Sequence, residues 1–214
     1  IPDLEPRLFT FNNPAGACSG CDGLGVKPYV DVLKVIHEPT ASLSEGAIRG
    51  WDMSHKYHFH LLKCLSKEYE FSLEEPFHNF DTETKDLILN GSEGKPVNFS
   101  WRTKRGRLVD RRFPFEGVIN NINRRYKETE SNYIREDLSK QISVSDCKEC
   151  SGTRLRKEAR NIFINDTSLP DITSFTIDQA FEFFSRLKLT GAKKEIADRI
   201  TKELKERLEF LIDV

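Results

Sequence analysis

Two copies of one short pattern, Cys18-x-x-Cys21-x-Gly23 and Cys147-x-x-Cys150-x-Gly152, stand far apart in the chain and constrain its fold more than any other feature. Two thiolates two residues apart can grip one tetrahedral zinc ion, and a glycine just beyond lets the backbone fold back toward the sulfurs. Each pair supplies half of a four-ligand site. The pairs are separated by 125 residues, so they share one ion only if everything between them is an excursion from a common base. Otherwise each pair takes partners elsewhere, and Cys64, His58 and His60 are the candidates within the chain. One C-x-x-C alone reads equally well as a redox pair or two ordinary cysteines, whereas two copies, each followed by x-Gly, favour zinc. Residues two apart on a helix point in different directions, so His58 and His60 read as surface or packing histidines. Cys64 falls near an apolar stripe and reads as core.

The opening segment lacks the layout of a signal peptide, and in such a chain this cysteine spacing favours metal ligation over a disulfide framework. Uncharged apolar runs such as Ile162 to Ile164 fall far below the roughly 20 residues that a membrane span needs. A cytoplasmic location without a membrane partner is the expectation. The 214 residues can build one good core or two smaller units. A formal net charge of -1 hides a segregation of charge. From Trp101 to Lys127 there are nine Lys/Arg against Asp110 and Glu116, a local balance of +7, while Cys64 to Asp86 carries seven acids against Lys67 and Lys85. No Ser/His/Asp constellation, no His-Glu-x-x-His and no Gly-rich turn followed by Lys-Ser/Thr is present, so the chain itself reads as non-enzymatic.

Periodicity places the basic stretch on a hairpin. Val97, Phe99 and Trp101 alternate with polar residues, Lys104-Arg105-Gly106 supplies a turn, and Leu108-Val109 begins a return strand. Arg102, Lys104, Arg105, Arg107, Arg111 and Arg112 there, with Arg124, Arg125 and Lys127 beyond, are the candidate DNA-binding residues, because guanidinium and ammonium groups neutralise phosphates while neighbouring Asn, Trp and Tyr side chains add hydrogen bonds or stacking. The bland alternative is a solvated face, or pairing of Arg124 and Arg125 with Glu128 and Glu130. Helices are predicted after Ser54, with Tyr57, Leu61, Leu65 and Tyr69 on one stripe, and from about Ser131 to Ile142. Asn161 to Ile164 reads as a strand and Leu169-Pro170-Asp171 as a turn. Thr176-Ile-Asp-Gln179 matches a capping box, opening a helix with Ala180, Phe181, Phe184 and Leu187 toward the core. Gly191 stops it before a last helix with Ile196, Ile200, Leu204, Leu208 and Leu211 on one face. The expected fold class is α+β: an inserted mixed α/β globular domain, residues 27–143, on a base of zinc knuckles and helices formed by residues 1–26 and 144–214.

Longer strings carry a resemblance. Leu4-Glu-Pro-Arg-Leu-Phe-Thr-Phe-Asn-Asn-Pro-Ala-Gly-Ala-Cys18, Gly46-Ala-Ile-Arg-Gly-Trp-Asp52, Phe115-Glu-Gly-Val-Ile-Asn-Asn-Ile-Asn-Arg-Arg-Tyr-Lys-Glu-Thr-Glu-Ser131 and Cys150-Ser-Gly-Thr-Arg-Leu-Arg156 are similar to UvrA, the damage-recognition family of the bacterial UvrABC nucleotide excision repair system. The resemblance covers essentially the whole chain. It implies a fragment of an ABC-type ATPase that scans double-stranded DNA for lesions, forms a homodimer and loads UvrB, with the ATP sites and the UvrB-binding segment outside these residues. It implies an insertion domain flanked by the end of a zinc module and the start of the first signature domain. It also implies that Cys18 and Cys21 belong with a C-x-x-C pair some twenty residues upstream, absent here, and that Cys147 and Cys150 belong with ligands at the positions of Ser66 and Glu68, for which Cys64 would substitute. The role expected is a DNA-binding module; the alternative is a protein-interaction or conformational module that gates access to DNA without contacting it strongly.

Overall fold

The computed structural model describes residues 4–102 and 107–214, and the side chains of Arg102 and Lys193 are not among the described atoms. The expected hairpin tip, with Lys104 and Arg105, therefore lies outside the described residues. The elements are β1 (Val26–Val30), α1 (Val32–Val35), α2 (Lys56–Glu68), α3 (Thr82–Asn90), β2 (Pro96–Arg102), β3 (Leu108–Pro114), α4 (Val118–Glu128) and α5 (Asn132–Ser139). They continue with β4 (Ile142–Asp146), α6 (Lys157–Arg160), β5 (Phe163–Ile164), β6 (Thr167–Ser168), α7 (Leu169–Ser174), α8 (Ile177–Arg186) and α9 (Ala192–Asp213). The strands pair two by two, β1 with β4, β2 with β3 and β5 with β6. No helix among the described residues is long and apolar enough to cross a membrane. The α+β class follows from this mixture, and the chain divides into two compact units, residues 28–144 and residues 1–27 with 145–214.

The unit 28–144 holds the larger apolar core. Its α2 buries Leu62 and Leu65 completely, with Cys64 beside them, and packs against β2, whose alternate residues Val97 and Phe99 are also fully buried. Each such side chain removed from water stabilises the fold by roughly 1.5–3 kcal/mol. The helix is capped one residue later than expected. Ser54 is occupied locally, its amide and hydroxyl both donating to Asp52 Oδ1, so His55 takes the cap position. Tyr57 and Tyr69 lie exposed, off the buried stripe that runs through Leu62 and Leu65.

β2 and β3 form the expected antiparallel hairpin, with Val97 opposite Phe113, Phe99 opposite Arg111 and Trp101 opposite Val109. Beyond it, α4 buries Val118, Asn121 and Ile122. α5 begins where expected, with Ser131 Oγ accepting from the Ile134 amide. It ends three residues before Ile142. The amides of Lys140 and Gln141 turn back onto Asp137 O and Leu138 O, and the Asp31 amide donates to Gln141 O, so Ile142 enters β4 rather than a last helical turn.

In the unit of residues 1–27 and 145–214, Leu8, Leu155 and Ala159 make a small apolar cluster. Leu169-Pro170-Asp171 opens α7 instead of forming a turn. Proline lacks only an N–H that the first helical turn leaves unpaired anyway, and Ser168 and Asp171 close a capping box around it. The capping box of Thr176 and Gln179 starts α8 as predicted. α8 packs on α9, but none of its residues is buried; Ala180, Phe181, Phe184 and Leu187 are half-covered. On α9 the predicted stripe is only partly covered. Leu204 and Leu208 are half-buried, whereas Ile196, Ile200 and Leu211 are 70%, 56% and 52% exposed.

Candidate functional site

The two knuckles meet. The sulfurs of Cys18, Cys21, Cys147 and Cys150 all lie within 4.8 Å of one another, all four residues are buried, and none forms a disulfide. Cys21 Sγ and Cys150 Sγ are 3.6 Å apart. A tetrahedron with Zn–S bonds of about 2.3 Å has an S···S edge of about 3.8 Å, so this donor set fits a zinc ion. Where the resemblance implied separate partners for each pair, the structure brings Cys18 and Cys21 together with Cys147 and Cys150, and neither Cys64 nor the positions of Ser66 and Glu68 enter the cluster. The physical reason lies in the backbone. The Cys147 amide donates to Gly25 O at 2.8 Å and the Cys18 amide to Arg154 O at 2.8 Å, which draws the chain after one knuckle onto the chain beside the other.

Within each knuckle the turn repeats. Asp22 and Gly23 have φ of 50° and 79°, and Ser151 and Gly152 have φ of 50° and 81°. A left-handed glycine after the second cysteine is what the x-Gly pattern demanded. Amides then aim at the sulfurs, as where Gly25 N–H donates to Cys21 Sγ at 3.2 Å. Burial pushes the Cys18 thiol up to about 12, whereas the amides of Cys150 and Glu149 bring Cys147 down to about 7. Amide donors of this kind stabilise thiolate, the form in which cysteine binds metal.

The histidines and Cys64 lie elsewhere and do structural work. His58 is half-buried, stacked on Trp51 at 4.6 Å between ring centroids, and its Nδ1 lies 3.1 Å from Gly50 O. His60 Nε2 lies 2.7 Å from Ser100 O, with the buried Cys64 Sγ 3.5 Å away.

The basic stretch separates into different environments. Arg107, Arg111 and Arg112 are exposed on and beside β3; Arg111 sits 5.9 Å from the centre of the Trp101 ring, and Arg112 stands opposite Asn98. Neighbours along a strand face opposite sides, so Arg111 and Arg112 put charge on both faces of the hairpin. Arg124 is engaged. Its Nε donates to Glu116 Oε1 at 2.7 Å and its Nη1 to Glu128 Oε2 at 3.1 Å. This contact with Arg124 holds the Glu116 carboxyl below the usual range. Arg125 is half-buried and Lys127 exposed. Glu116 is the partner that sequence reasoning missed, since it lies eight residues before Arg124, whereas the i,i+4 spacing to Glu128 was legible. Arg154 and Arg156, beside the cysteine cluster, were also not singled out as site residues.

Residues 31–140 match the family model described as the UvrA DNA-binding domain. The chain is 49% identical over its full length to UvrABC system protein A of Pasteurella multocida and 50% identical to that of Vibrio parahaemolyticus, and it spans 23% of each. Over 99% of the chain it is 49% identical to UvrABC system protein A of Escherichia coli K12, again covering 23% of that protein. Among solved structures, UvrA2 from Deinococcus radiodurans has the same fold over 96% of this chain and 28% of that one, with a TM-score of 0.64 at 20% identity. With just over half of its residues inside the matched domain, the chain belongs to the UvrA DNA-binding domain family.

Proposed function

We propose that this chain is the DNA-binding module of a UvrA-like excinuclease subunit and bears on damaged duplex DNA during nucleotide excision repair. The observation that carries this reading is the hairpin in the matched domain. Arg111 and Arg112 stand exposed on it, and neither is bonded to a carboxylate among the described residues. Phosphates would take up that charge, with Trp101 beneath Arg111 as a surface for stacking. Lesions differ in chemistry, so readout would follow the shape and deformability of the duplex instead of base edges. Arg102, Lys104, Arg105, Arg107, Arg125 and Lys127 are proposed as further phosphate contacts. Arg124 is assigned to bracing α4 through Glu116 and Glu128.

The four cysteines would hold a structural zinc ion, which when bound ties the two knuckles together without taking part in any reaction. ATP hydrolysis, loading of UvrB and pairing of two copies are proposed for the longer protein of which such chains form about a quarter.

Titration of a fluorescent duplex over a range of salt tests the DNA reading. Arg111→Ala with Arg112→Ala should weaken binding and lower the slope of log affinity against log salt by about one for each phosphate that is no longer neutralised. An unchanged affinity and slope sinks it, and capture of another repair protein without DNA binding at low salt favours the interaction module.

A further inference from the structure

A second group of cations sits on the other unit, beside the cysteine cluster. Arg154, Arg156 and Lys157 are exposed directly after the Cys147 knuckle. Arg156 is held by a main-chain acceptor, its Nε donating to Ala17 O at 3.0 Å, and the Arg154 guanidinium lies 5.0 Å from the centre of the Phe11 ring. Neither is paired with a carboxylate among the described residues. This differs from Arg7, Arg124, Arg186 and Arg207, each bridged to a glutamate. A guanidinium fixed through a neutral carbonyl or a ring face keeps its whole charge and most of its donors for a ligand.

Arg156 also borders a recess shared with Phe11, Asn12, Asn13, Ser19 and Asp22. Asn13 Oδ1 accepts from the Ala15 amide at 2.9 Å, and neither its NH₂ group nor the exposed Asn12 side chain has a partner among the described residues. Asp22 opposes an anion here, and Glu149, nearby, is engaged by the Ser19 hydroxyl at 3.2 Å. The Arg156 guanidinium and two amide donors on this recess, with the Arg154 guanidinium over the Phe11 ring that also lines it, match the oxygens of a phosphodiester.

We infer that the knuckle unit carries a phosphate-binding surface of its own, formed by Arg154 and Arg156 with Asn12 and Asn13, and that it takes the backbone of the same nucleic acid as the hairpin. This rests on the DNA-binding reading above. The competing role for the arginines is to offset the negative charge of a tetrathiolate metal site, and the test separates the two.

Arg154→Gln with Arg156→Gln, made in the 214-residue chain loaded with zinc, is titrated with duplex DNA over a range of salt, and its zinc content is measured alongside. Expected is zinc at the parent level, affinity lowered on the order of tenfold near 0.1 M salt, and a slope reduced by about one to two. Full zinc with unchanged affinity and slope overturns the proposal. If the double variant loses zinc, Asn12→Asp decides, because it places a negative charge beside the recess while removing no bond of the knuckle: weaker DNA binding supports the surface and unchanged binding overturns it. The Arg111→Ala, Arg112→Ala chain run in parallel keeps the two readings apart. If only the hairpin variant weakens binding, the knuckle surface fails; if only the knuckle variant does, the hairpin reading fails.

Discussion

His58 shows how a single side chain couples this fold to pH. Burial against Trp51 lowers its pKa from the usual 6.5, the charges of Arg125 and His55 add to that, and the Gly50 carbonyl opposes it. As pH falls, the unfolded chain takes up the proton before the folded one does. The contribution of His58 to stability is therefore full above about pH 6.5 and is lost as pH falls below it. Urea midpoints should decline as pH falls below about 6.5, and His58→Phe, which keeps a ring against Trp51, should flatten that part of the profile; a variant with the parent slope refutes the assignment. The cysteines give a complementary test. Cys147→Ser should abolish stoichiometric zinc in a metal assay, while Cys64→Ser, outside the cluster, should leave it at one ion per chain.

Elements with a period-two pattern or a local capping signature were legible in the sequence. Val97, Phe99 and Trp101 announced the hairpin, and Thr176 and Gln179 the start of α8, because both signals act over a few residues. Elements decided by tertiary packing were not. α4 carries Asn120, Asn121 and Asn123, weak helix formers, and is held by burial of Val118 and Ile122 and by the Glu116–Arg124–Glu128 bridges, the first of which spans a bend in the chain. Proline in Leu169-Pro170-Asp171 suits a turn and a first helical turn equally, and only Ser168 in its capping role separates them. Two outcomes belong to this scale. Thr176→Ala should cost about 1 kcal/mol in a two-state urea titration, through loss of the cap to the Gln179 amide. Glu116→Gln should leave Arg124 held by Glu128 alone and raise DNA affinity modestly at low salt, at a stability cost of roughly 0–1 kcal/mol for so exposed a pair.

For the whole molecule, the excursion between the knuckles was one of two options that spacing left open, and resemblance favoured the other. Nothing local in Cys18 and Cys21 reveals that Cys147 and Cys150 complete their site, since the information sits in backbone hydrogen bonds between segments far apart in sequence, Cys147 to Gly25 and Cys18 to Arg154. The same remoteness gives the cluster leverage. Zinc bound across Cys21 and Cys147 would close a loop of 125 residues, and the chain entropy of closing a loop that long is on the order of 4–5 kcal/mol. Because β1 pairs with β4, the chain leaves and returns along adjacent strands, roughly 5 Å apart. With zinc bound the cysteine cluster would act as a buckle whose closing cost rises only slowly with the length of the belt. Replacing residues 28–144 by a short Gly/Ser linker should leave a polypeptide that still binds one zinc ion through four thiolates, which cobalt substitution would report by its tetrahedral absorption. A segment mounted in that way is free to grow, shrink or be exchanged between proteins while the ends that carry it stay as they are.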